Sequence, residues 1–103
     1  MVELRYSPAA SRIVAGGLQN LYPPLFLGLI EEEFCRVLLE LGRNCNQDWL
    51  QRYRVITDGQ TQYLVLIKTP TGVDGDLAIF WWPIAVGTAL YPYVGAIVPG
   101  YKS

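Results

Sequence analysis

Apolar residues recur at three- and four-residue spacing in the first half of the chain and form one stripe of a helix. The stripe consists of Leu27, Ile30, Phe34, Val37, Leu38 and Leu41. This spacing places the side chains on one face of an α-helix, which then needs a partner surface. Gly42 is expected at the C′ position, where a left-handed residue commonly ends a helix. The pattern predicts a main amphipathic helix over residues 25–42.

Residues 1–24 are predicted to form an arm, a short helix and a loop. Apolar and polar residues alternate over Val2–Ser7, which favours a short strand or an extended arm. Ser7 is followed by proline, the order expected for an N-cap and a first helical residue. A short helix over Pro8–Ala15 is therefore expected, and the two glycines that follow it would end it.

Residues 52–100 change to strand-like patterning. Asp58-Gly59 separates two β-rich runs and is a strong hairpin signal. A second turn over residues 71–76 leads to a third predicted strand, residues 77–82. Proline cannot donate to a strand ladder, so the later prolines predict short extended pieces at edges and bends. The whole chain is predicted to be a single α+β domain, with an arm and an amphipathic helix packed on a small antiparallel meander.

The segment Leu77–Gly100 contains no charged residue. About 20 apolar residues suffice to cross a bilayer, but this segment contains three prolines and three glycines. An interior proline such as Pro92 costs a helix about 3 kcal/mol, and hydrocarbon offers no water to the freed backbone groups. The proline and glycine content of the segment disfavours a membrane span. A membrane-associated accessory protein is therefore the third-ranked interpretation of the protein's function.

Large aromatic side chains are concentrated in this uncharged segment. Phe80, Trp81 and Trp82 are consecutive, so in a strand they cannot all lie on one face. One face can meet the helix stripe, and the other needs a second layer. We therefore predict that Phe80, Trp81, Trp82, Tyr91 and Tyr93 form an interface with other protein subunits, most simply by self-association. An irregular part of the core is the alternative interpretation of the segment.

The composition lacks several of the residues that common catalytic and metal-binding sites use. The chain has no histidine, the most frequent general base and metal ligand. Cys35 and Cys45 are too few for a structural zinc site, which uses four ligands. A net charge of −1 is a poor electrostatic basis for binding nucleic acid. No enzyme activity, cofactor, metal or nucleic-acid partner is expected.

These observations predict a non-enzymatic structural or assembly protein, a subunit of a homo- or hetero-oligomer such as a phage-type virion. The alternative is a small soluble binding module whose aromatic cluster lines a pocket for a ligand or peptide. A flat aromatic patch favours assembly, and a concave one favours ligand binding. The first residues lack a secretory signal pattern, which predicts a cytoplasmic location or a place in a released particle.

Overall fold

The computed structural model describes residues 4–102. Its elements in chain order are β1 (Arg5–Tyr6), α1 (Pro8–Gly16), a 3-10 turn (Leu18–Asn20), α2 (Pro24–Arg43), a second 3-10 turn (Asp48–Leu50), β2 (Tyr53–Thr57), β3 (Gln60–Ile67), β4 (Asp76–Val86) and β5 (Ala89–Tyr101). The five strands form one mixed sheet in the order β1-β5-β4-β3-β2. Strands β2 to β5 form an antiparallel meander, and β1 runs parallel to β5. The predicted α+β class is confirmed.

Ser7 joins the start of α1 to the sheet. Its hydroxyl oxygen accepts the Ala10 N–H at 3.1 Å and donates to the Gly95 carbonyl oxygen at 2.7 Å. The Ser7 N–H donates to the Val94 carbonyl oxygen at 2.9 Å. The predicted N-cap is therefore confirmed and also acts as a tertiary contact. The strand expected over residues 2–7 is present as β1, and its first two residues lie outside the described part of the chain.

The stripe of α2 faces the sheet as predicted. Ile30, Phe34, Val37 and Leu41 are buried in the core, and the other stripe residues pack against it half-buried. The expectation that Gly42 ends the helix is wrong, because Gly42 is buried inside it. The helix ends one residue later, at a C-cap asparagine with extended backbone, whose side-chain oxygen accepts a backbone N–H two residues on. That side-chain bond replaces the left-handed glycine as the stop.

The turn between β2 and β3 has the predicted residues and geometry. Asp58 and Gly59 both have positive φ, 51° and 78°, as a type I′ hairpin turn requires. The register aligns Thr57 with Gln60 and continues to Tyr53 opposite Leu64. The hairpin predicted at this dipeptide is confirmed.

The expectation of short extended pieces after residue 82 is wrong. Strand β4 has 11 residues and β5 has 13, and together they form one long hairpin. Pro83 and Pro92 lie opposite each other in this hairpin. Neither proline has a backbone N–H to donate. The pair therefore occupies a non-hydrogen-bonded position of the antiparallel ladder, where the backbone amides of each strand point away from the other strand. Beyond Trp81 β4 has no neighbour other than β5 among the described residues, so the missing donors leave no strand unpaired.

The core lies between the two helices and one face of the sheet. Trp81 is 0% exposed, and its indole N–H donates to the Leu50 carbonyl oxygen at 3.1 Å. The buried cluster comprises Ala10, Leu18, Tyr22, Ile30, Phe34, Val37, Leu41, Leu50, Val65, Ile67, Leu77, Ile79, Trp81, Val94 and Ile97. Its members on β3 and β4 occupy alternate positions, and those on β5 are three apart because of a β-bulge; together they define the inner face of the sheet.

Candidate functional site

The opposite face of the sheet, which we call the outer face, lies outside the core that the helices cover. The strand register assigns to it Leu64, Leu66, Ala78, Phe80, Trp82, Ile84, Val86, Ala89, Tyr91, Tyr93, Ala96 and Val98. None of these side chains belongs to the buried cluster or packs against it within residues 4–102. None is charged. Over β4, β5 and the end of β3 the outer face is thus a continuous apolar and aromatic surface with no second layer from the described residues, whereas toward the β2–β3 turn it carries the polar residues Thr57, Gln60 and Gln62.

Its aromatic side chains are held in place by neighbours on the same face. The Trp82 and Tyr93 rings lie with centroids 5.0 Å apart at 49°, and Phe80 meets Tyr101 edge-on at 5.8 Å. The Trp82 ring lies directly over Gly95, where an added Cβ would come within 2.3 Å of the ring. A β-bulge between Phe80 and Trp81 leaves Gly95 unpaired and makes room for this ring.

Same-face contacts cover only part of this surface. Leu64 and Ala78 are buried, whereas the larger side chains are half-buried or exposed, and Val86 is 45% exposed. An aromatic side chain of ~200 Å² that keeps about a third of its surface in water gains up to ~1.7 kcal/mol when that third is covered. Several such side chains on one flat face favour association with another surface.

The distal part of the β4–β5 hairpin projects from the sheet. Strand β3 pairs with β4 only as far as Trp81, and β1 pairs with β5 only at Tyr93 and Val94. Residues 82–92, which we call the hairpin arm, therefore continue as a two-stranded ribbon. Five residues of strand extend it by ~16 Å, in a molecule whose longest dimension is 44 Å. The arm carries outer-face residues beyond the part of the sheet that the helices support.

Four of the five predicted interface residues lie together on the outer face. Phe80 and Trp82 occupy alternate positions of β4, and Tyr91 and Tyr93 occupy alternate positions of β5. Trp81 points the other way into the core, and in this fold it contacts no partner directly. Its role is to anchor β4 to the inner layer. The interface prediction is carried forward for the other four residues.

The titratable groups of the described residues are dispersed. Arg36 bonds to Glu33, and this hydrogen bond lowers the pKa of the Glu33 carboxyl. Burial raises the pKa of the Cys45 thiol, which disfavours the thiolate. Lys68 is 79% exposed and pairs with Asp76 at 3.2 Å. Within residues 4–102 no group of three or more potential metal-ligating side chains comes together.

A concave feature elsewhere on the molecule was not predicted from the sequence. A groove of about 420 Å³ lies beside β3 and is lined by Glu33, Arg36, Val37, Trp49, Arg52, Tyr53, Leu64, Val65, Leu66 and Lys68. The Arg36 guanidinium stacks on the Trp49 ring, 5.0 Å from its centroid. The groove depends on contacts between residues far apart in the chain, and no local pattern indicates it.

Comparisons with protein-family models, with curated proteins and with solved structures find no match to this chain. Among residues 4–102, no helix is both long enough and apolar enough to cross a membrane.

Proposed function

We propose that the protein is a non-enzymatic assembly subunit that associates with a second copy of itself through the outer face. The observation that carries the proposal is the uncharged row of partly exposed aromatic and aliphatic side chains opposite the helix layer. Two sheets stacked face to face about 10 Å apart would give each copy the missing layer. A phage-type particle is one assembly that such a subunit would serve.

The size of the outer face supports a pairing of two copies. Three strands of ~30 Å spaced at ~4.8 Å cover ~430 Å² in projection, and side chains make the accessible area larger. Two copies would then bury on the order of 1,000 Å² in total, the lower bound for a specific interface. This area already includes the hairpin arm, so a symmetric pair reaches the bound only when both arms take part.

The charge distribution also supports self-association. In an isologous interface the same surface patch of each copy contacts its counterpart on the other copy. A charged residue near the symmetry axis would therefore face the same charge on the other copy and repel it. No charged side chain lies between Ala78 and Val86 or between Ala89 and Val98. Arg5 lies at the rim, with its guanidinium over the Tyr91 ring at 4.9 Å, where charge remains solvated.

Two adjacent cross-strand pairs of the hairpin arm provide a matched test. Ile84 and Tyr91 face each other on the outer face, and Ala85 and Leu90 face each other on the opposite side of the same arm. The test compares the double variant Ile84→Lys/Tyr91→Lys with the control Ala85→Lys/Leu90→Lys. Sedimentation velocity over a concentration series measures the mass of each.

We expect the wild type and the control to form the same oligomer and the outer-face variant to remain an 11.6 kDa monomer. The added lysines would be buried without a partner charge and weaken the pairing at least ~10-fold. A monomeric wild type at all concentrations, or equal effects of the two double variants, would contradict the proposal. Circular dichroism of both variants shows whether they retain the fold.

A further inference from the structure

The edge of β3 that faces β2 is open along its second half. Strand β2 pairs with residues 60–64 only, whereas β3 continues to Ile67. Residues Val65–Ile67 pair with β4 on one side. On the other side their backbone makes no hydrogen bond to the described chain. Alternate residues of an antiparallel strand direct their backbone groups to opposite edges, so Val65 and Ile67 face β4 and Leu66 presents its N–H and C=O to the open edge.

The groove of about 420 Å³ runs along this open edge. Val37 and Trp49 supply an apolar wall on the helix side. Arg52 and Tyr53 close the end where β2 begins. An extended segment in the groove would therefore continue the line of β2 beside β3.

The groove has an excess of positive charge in a chain whose net charge is −1. Three cations, Arg36, Arg52 and Lys68, line it against one carboxylate, Glu33. Arg36 is engaged by that carboxylate. Lys68 keeps most of its surface in solvent beside its partner Asp76, and Arg52 is exposed and forms no ion pair within residues 4–102. Arg52 is thus the groove cation that has no carboxylate partner within residues 4–102, whereas Lys68 shares its charge with Asp76.

We propose that this groove binds an extended acidic peptide segment of a partner protein, which adds to β3 as an antiparallel or parallel strand. Backbone hydrogen bonds to Leu66 supply the first pairing, as in other cases of strand addition. Successive side chains of a strand point to opposite faces. An acidic residue on one face therefore meets Arg52, and a residue on the other face rests on Trp49.

The probe is the blocked peptide Ac-Thr-Glu-Val-Glu-Val-Glu-Thr-NH2, titrated into the ¹⁵N-labelled protein. We expect saturable shifts of the amide signals over Val65–Lys68. Arg52→Glu is expected to weaken binding at least ~10-fold, because an attraction becomes a repulsion. The matched control is Arg12→Glu, the same charge change at an exposed site on α1, and it should bind within a factor of ~2 of the wild type.

Two further probes separate strand addition from other kinds of binding. The same peptide with N-methyl groups on alternate residues keeps its charge but cannot pair along one edge, and we expect its binding to be lost. A peptide with lysine in place of glutamate should also fail to bind. Equal binding by the N-methylated peptide, shifts confined to the outer face, or tighter binding by single-stranded oligothymidylate would each overturn the proposal.

Discussion

Replacing Ser7 with alanine tests whether one hydroxyl group connects the helix layer to the sheet. The hydroxyl accepts the Ala10 N–H and donates to the Gly95 carbonyl oxygen. Loss of the N-cap bond costs about 1 kcal/mol. Leaving the half-buried carbonyl without its donor costs about 1 kcal/mol more. We therefore expect Ser7→Ala to lower the free energy of unfolding by ~2 kcal/mol, a substantial part of the stability of a domain of this size.

Urea unfolding followed by circular dichroism measures this loss, and thermal unfolding should show a midpoint lowered by ~10 °C. Three variants assign the cause. Ser7→Thr keeps a hydroxyl and should stay within ~0.5 kcal/mol of the wild type. Ser7→Asp keeps the cap but cannot donate to the Gly95 oxygen, so it should recover only part of the loss. Ser11→Ala, at an exposed position inside α1, should change stability by less than ~0.5 kcal/mol.

The reasoning is refuted if Ser7→Ala lies within ~0.5 kcal/mol of the wild type. If Ser7→Asp were as stable as the wild type, the hydrogen bond from the Ser7 hydroxyl to the Gly95 oxygen would contribute nothing to stability. That result would refute the claim that this bond connects the helix to the sheet. In that case the helix start is held by its cap and by the Ser7 N–H bond to β5 alone.

Further predictions concern the outer face, the core and the thiols. Gly95→Ala places a Cβ within 2.3 Å of the Trp82 ring, so urea unfolding should show a loss of ~1–3 kcal/mol and Trp82 fluorescence should change; unchanged values would contradict the position of the ring. Tyr22 is buried, and its hydroxyl finds no partner within the described residues, so Tyr22→Phe should raise stability by up to ~1 kcal/mol. Burial raises the pKa of Tyr22 above its ordinary value of 10.0. The unfolded chain therefore releases this proton first, and stability should fall as the pH rises above 10 in unfolding titrations, less steeply in Tyr22→Phe. Iodoacetamide should modify the exposed Cys35 before the half-buried Cys45, whose pKa is raised; peptide mapping by mass spectrometry measures the order, and equal rates would contradict it.

The local signals of the sequence predicted much of the fold because they depend on neighbours in the chain. The stripe of α2 and the Asp58-Gly59 turn follow from periodicity and from the backbone conformations that single residues allow. Alternation along β4 predicted that Trp81 would point away from Phe80 and Trp82. The alternation does not predict which face of β4 the helices cover, because that depends on residues distant in the chain, such as Leu50.

The errors arose where a local rule depends on long-range pairing. Proline disfavours a strand that needs donors on both sides, but Pro83 and Pro92 face each other in a ribbon with open edges. The parallel pairing of β1 with β5 joins residues almost ninety positions apart in the chain. The groove exists because β2 begins opposite Leu64 while β3 runs on to Ile67. No periodicity in the sequence encodes that offset.

The central claim, that a second copy covers the outer face, is tested most directly at the three tryptophans. Trp81 lies in the core, Trp82 on the outer face and Trp49 in the groove. The protein is labelled with 5-fluorotryptophan, and ¹⁹F NMR spectra are recorded with a soluble gadolinium chelate at low-micromolar and at millimolar protein concentration. The predicted result is a Trp82 signal that broadens in dilute protein and is protected in concentrated protein, while the Trp49 signal broadens equally in both. Equal broadening of the Trp82 signal at both concentrations would contradict the account.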